Sequence, residues 1–80
     1  MTPRVKDVKY QNNYLLLITF SNGEVKLFDL SNYLHYPVYG PLKDEAFCKK
    51  AKAAFGTVVW NDEIDFDPDT LYLEGKPIKH

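Results

Sequence analysis

Hydrophobic and polar positions change period several times along this chain. In "RVKDVKY" the apolar Val5 and Val8 are separated by charges, and the following "NYLLLITF" is a continuous apolar run with β-branched and aromatic members. "VKLFDL" then alternates, with Val25, Leu27 and Asp29 on one side. Asn22-Gly23 sits between two of these runs and predicts a type I′ hairpin turn, in which both central residues take positive φ. "QNN" at 11–13 predicts a second turn. Together they give an antiparallel meander with strands near 4–10, 14–20 and 24–29. Its middle strand is apolar on both sides, so each face needs cover.

"SNYLHYPVYGPL" has a different character. Ser31 is placed to cap a helical turn running through Leu34, and Pro37, Gly40 and Pro41 then argue against regular structure. Tyr33, Leu34, Tyr36, Val38 and Tyr39 make the stretch rich in aromatic and apolar side chains, so it either closes over the core or forms a contact surface. "KDEAFCKKAKAAF" supports two assignments. Asp44 as cap, with Phe47, Ala51 and Ala54 spaced i, i+4, i+7, gives a helix over 44–54. A short turn at 44–47 followed by a strand is the alternative.

"GTVVW" predicts a strand at 57–60 entered through Gly56, and "EIDF" a short extended piece. In "DFDPDT", Asp67 suits an N-cap, Pro68 the first helical position and Asp69 the first turn. A short helical turn is expected from Asp67 to Leu73, ended by Gly75, with a C-terminal tail from about 75. The fold class expected is a small α+β domain spanning residues 1–80.

Composition narrows the function more than the fold. Apolar residues make up 45% and aromatics 15%, enough for a core of its own. Ten basic against eleven acidic residues leave a net charge of −1, too weak a field to draw the domain onto nucleic acid or an anionic membrane. Cys48 is the single cysteine, which fits a reducing cytoplasm. "MTPRVKDVKY" predicts no signal peptide, and the apolar run "YLLLI" is too short to span a bilayer.

Candidate chemistry centres on "WNDEIDFDPDTLYLEG", six carboxylates around Trp60. Asp65, Asp67 and Asp69 resemble the start of a calcium loop, but Thr70 and Lys76 stand where its glycine and glutamate belong. Capping explains these acids better than a metal does. Cys48 reads as a small apolar residue, Trp60 as core or, more sharply, a ligand platform. Ser21, Ser31, His35 and His80 form no nucleophile, metal or phosphate motif. The expectation is a domain that is not an enzyme and takes no cofactor and no metal. Lys49, Lys50 and Lys52 read as a solvated face before a nucleic-acid contact.

The order of features resembles a bacterial family named domain of unknown function 2442. The resemblance rests on Ile18, Phe20, Asn22, Gly23, Asp29 and Leu30, then on Gly40, Leu42, Asp44 and Phe47. It is completed by Gly56, Thr57, Trp60, Asp65, Pro68, Asp69, Leu71 and Tyr72. It covers residues 3–73 and departs at Asn61-Asp62-Glu63. It implies an α+β fold without established catalysis, and a turn plus β-hairpin over 46–60 in place of a long helix. It also implies a partner role beside a small protein, as in toxin–antitoxin pairs.

The functional expectation is a binding module whose contacts come from Tyr33, Tyr36, Tyr39, Trp60 and Asp65. A protein partner is expected first. A small ligand held by Trp60 and the acidic 62–67 loop is the alternative, and pairing of two copies along a strand edge is open.

Overall fold

Strand pairing organises the molecule, for which a computed structural model describes residues 2–61 and 64–78. Strands β1 (Val5–Tyr10), β2 (Leu15–Phe20) and β3 (Val25–Asp29) form the expected antiparallel meander. Leu16, Ile18 and Phe20 face the core, opposite Val5, Val8, Lys26 and Phe28. Val5 and Val8 are three residues apart, and strict alternation would put them on opposite faces. A register shift between Val5 and Asp7 turns both inward. On the other face Leu15, Leu17, Thr19, Val25 and Leu27 are half-buried and stay outside the core cluster.

The two turns of the meander differ from expectation. In the 21–23 loop only Gly23 has positive φ, at 90°, and its N–H donates to the Phe20 carbonyl. This is a three-residue loop with a left-handed glycine, not a type I′ pair. The preceding turn puts Asn13 and Tyr14 at φ of 54° and 63°. Tyr14 is held there by the Tyr10 hydroxyl on its N–H, by Leu30 N–H on its carbonyl and by its own hydroxyl on the Lys43 carbonyl.

Two 3₁₀ turns follow, Leu30–Tyr33 and Pro37–Lys43. The first is capped by Asp29, whose carboxylate accepts from the Ser31 N–H at 2.9 Å, so the cap is Asp29 and not Ser31. The second carries Pro37 and Pro41 within it, because prolines that forbid an α-helix tolerate short i to i+3 turns. Helix α1 is a single turn, Glu45–Cys48, with Asp44 accepting from Ala46 N–H. Strand β4 (Lys52–Ala54) and strand β5 (Thr57–Val59) then make a separate hairpin. The turn-plus-strand assignment is the one that forms, and the helical spacing of Phe47, Ala51 and Ala54 is overridden by pairing with β5.

That hairpin has the type I′ geometry, with Phe55 at φ 54° and Gly56 at φ 78°. A Cβ at Gly56 would also lie 2.7 Å from the Arg4 side chain. Phe55 has no such excuse for its backbone. Left-handed geometry costs a bulky residue about 1–2 kcal/mol, and its ring is 91% exposed.

Helix α2 (Pro68–Glu74) starts as expected, with the Asp67 carboxylate on the Asp69 N–H. Gly75 ends it at φ −68°, so no left-handed cap is needed. Its lack of a side chain serves close packing, because a Cβ there would meet the Leu71 carbonyl at 2.7 Å and the Lys26 stem at 3.0 Å. The expected tail begins instead as strand β6 (Lys76–Pro77), which pairs with β3. Beneath α2, Lys26 is buried on the core face. Its ammonium donates to the Tyr72 carbonyl at 2.6 Å and lies 3.6 Å from the centre of the Tyr72 ring. Among the described residues no helix is long and apolar enough to cross a membrane.

Candidate functional site

Phe66 is the hub around which the aromatic side chains collect. It reaches the core because Val59 and Asp65 form a β-bridge and the Phe66 N–H donates to the Val58 carbonyl, fixing the extended "IDF" beside β5. Tyr39 stacks on the Phe66 ring at 4.5 Å and 8°. Tyr33 meets the same ring edge-on at 5.4 Å, and Phe28 does so at 5.5 Å. Both are preferred arrangements of ring quadrupoles. The 3₁₀ turns supply Tyr33 and Tyr39, and this is why the proline-rich stretch matters: it folds the loop back over Phe66.

The outer side of this cluster is a shallow cleft of about 280 Å³. Tyr33, Tyr39 and Phe66 line it together with Tyr36, Val38, the α2 cap Asp67 and Thr70 of α2. Tyr36 is 48% exposed and Val38 57%, so apolar surface stands open to solvent. The His35 ring lies 4.2 Å from that of Tyr36. The aromatic loop is therefore both lid and surface, with Tyr33 and Tyr39 inward and Tyr36 outward.

The Tyr33 and Tyr39 hydroxyls stay protonated well above neutral pH. Burial and donation to the Glu74 carboxylate push Tyr33 up to about 12. Burial, with Asp65 and Asp67 nearby, raises Tyr39. These phenols offer hydrogen bonds, not acid–base chemistry near pH 7. The Asp67 carboxylate is engaged by Asp69 N–H and by the Thr70 hydroxyl at 3.3 Å, as a cap should be. Among the described residues no group of three or more His, Cys, Asp or Glu side chains could hold a metal ion. The arrangement can bind an apolar, aromatic or cationic group against ring faces, with carboxylates at the margin.

Of the five residues singled out in the sequence, Tyr33, Tyr36 and Tyr39 come together here. Trp60 does not join them as a contact residue. It is 5% exposed, its indole N–H donates to the Cys48 carbonyl at 2.9 Å, and its ring is core. Asp65 is exposed and lines a different groove, with Lys52 and Val59. Asp62 and Glu63 of the acidic loop lie outside the described residues. Phe66, the centre of the site, was not singled out. Its signal is the alternation of Ile64 and Phe66 with acids, which marks a strand buried on one side. Cys48 is fully buried, and burial pushes its thiol up to about 11.

Fold and cleft define a small α+β domain with a four-stranded sheet, a two-stranded hairpin and an aromatic surface between its short helical turns. The chain belongs to the family described as protein of unknown function DUF2442, whose model matches residues 5–77. No curated protein matches the chain. No solved structure matches it either.

Proposed function

We propose that this domain is a non-catalytic protein-interaction module of the cytoplasm, and that its partner docks on the cleft over Phe66. The observation that carries this is the pair Tyr36 and Val38, large apolar side chains open to solvent beside tyrosines already fixed by packing. Interface centres favour rigid tyrosines, which lose little conformational entropy on binding. The partner role implied by the family resemblance, an antitoxin-like companion of a small protein, fits a surface of this kind. A small ligand remains the second use of the same cleft, with the Phe66 and Tyr39 rings in the place once expected of Trp60.

The experiment places a photo-crosslinking amino acid at position 36 and expresses the protein at native level in its host. One adduct of defined mass is expected on irradiation. Tyr36→Ala should abolish co-purification of that partner while shifting stability by less than about 0.5 kcal/mol, as exposed substitutions do. Tyr39→Ala is not an equivalent probe, because it removes the ring stacked on Phe66. If position 36 yields no adduct and Tyr36→Ala retains every companion of the wild type, the cleft is not the docking surface.

A further inference from the structure

The tip of the β4–β5 hairpin holds a second exposed apolar side chain that the cleft does not use. Phe55 sits in left-handed backbone where asparagine or glycine would be at ease, and its ring is 91% exposed. Tyr14 shares that backbone conformation, but core packing and hydrogen bonds fix it. Packing within the chain thus accounts for Tyr14 and not for Phe55.

The face beside Phe55 shows what would cover it. Lys52 pairs with Val59 across the hairpin, and Val59 bridges to Asp65. Directly opposed residues share a face, so one rung reads cation, valine, carboxylate. Val58 belongs to the core cluster, so the rung lies on the opposite side of the hairpin, where Val59 is 8% exposed and the charged ends Lys52 and Asp65 are open to solvent. Lys52, Ala54, Phe55, Val59, Asn61 and Asp65 line a groove of about 410 Å³. A rung with opposite charges at its two ends is complementary to itself. A twofold axis running along the strands over Val59 sets Lys52 of each copy against Asp65 of the other and brings the two Phe55 rings together.

We propose that a second copy of this chain covers the outer face of the β4–β5 hairpin, as a weak isologous dimer closed by two Lys52–Asp65 pairs and joined Phe55 rings. Each ring removes roughly 150–250 Å² from water. The whole contact falls short of the roughly 1,200 Å² of a tight complex, so the dimer belongs to the transient class. This surface shares no lining residue with the cleft over Phe66, and because Asp65 lies near Tyr39, Lys52→Asp and Phe55→Asn are the variants that separate the two.

Sedimentation equilibrium at low salt tests it, over protein concentrations from about 10 µM to about 1 mM. The wild type is expected to shift from monomer to dimer within that range. Lys52→Asp and Asp65→Lys, each alone, are expected to stay monomeric. Their equimolar mixture is expected to regain a dimer, because opposite charges then meet at both ends. Phe55→Asn suits the turn, keeps the fold, and should weaken association at least about tenfold. A wild type that is monomeric throughout overturns the proposal. So do charge variants that dimerise as the wild type does, or a mixture that fails to recover.

Discussion

Phe66→Ala is expected to lose about 4 kcal/mol of stability. A chain of 80 residues has roughly 4–12 kcal/mol in total, so this one change takes at least about a third of the margin. The reason is position as well as size. Phe66 contacts rings from β3, from both 3₁₀ turns and from the end of β5: Phe28, Tyr33, Tyr39 and Trp60. Truncation leaves a cavity that none of these can fill without abandoning another partner. Urea unfolding followed by tryptophan fluorescence measures it, since Trp60 lies 5.9 Å from the removed ring. With a slope near 1 kcal/mol per molar urea, a midpoint lowered by several molar is expected. A shift below about 1 M would mean that Phe66 is not the hub. Phe66→Leu retains apolar volume and is expected to lose about half as much, through the stacking geometry alone.

Gly75→Ala is the second large effect, and its cause is contact rather than backbone freedom. The added methyl would lie 2.7 Å from the Leu71 carbonyl and 3.0 Å from the Lys26 Cβ. The carbonyl belongs to the last turn of α2, and Lys26 is held from above by Tyr72. Relief therefore requires α2 and β3 to separate, and β6, which begins at Lys76, moves with them. A loss of about 2 kcal/mol is expected, as for other overpacked sites. Hydrogen exchange at Ile78, whose N–H donates to the Val25 carbonyl, should rise by more than global destabilisation alone explains. An unchanged Ile78 rate would show that the helix end yields without disturbing the sheet.

The meander was legible because its apolar runs are long and broken by turn residues. The helix start at Asp67-Pro68 was legible because cap chemistry is local to three residues. What was not legible depends on contacts far apart in the chain. Residues 44–54 carry helical spacing, yet strand pairing with Thr57–Val59 wins for 52–54, and the Phe55-Gly56 turn that enables it lacks the asparagine that usually announces such a turn. Lys76-Pro77 reads as a tail because two residues show no period, and only the exposed edge of β3 makes them a strand. Asp29 rather than Ser31 caps the first 3₁₀ turn, a shift of two positions that composition alone cannot decide between two good capping residues. In the candidate site, the three tyrosines were visible as a cluster. Their common centre was not, because Phe66 looks like part of an acidic turn until the Val59–Asp65 bridge is known. Trp60 stands beside acids in sequence, yet its ring is buried and its indole N–H is taken up by the Cys48 carbonyl, a contact twelve residues away that no local pattern shows.

Cys48 gives this domain a clock. Its sulfur is sealed where α1 meets the meander, and its carbonyl accepts from the Trp60 indole, so the thiol and the fluorophore watch one spot. A thiol reagent can reach it only when those parts come apart. Because the chain has a single cysteine, every adduct reports that one event. The rate of labelling across denaturant then counts openings of the core in the unaltered protein, with no probe introduced.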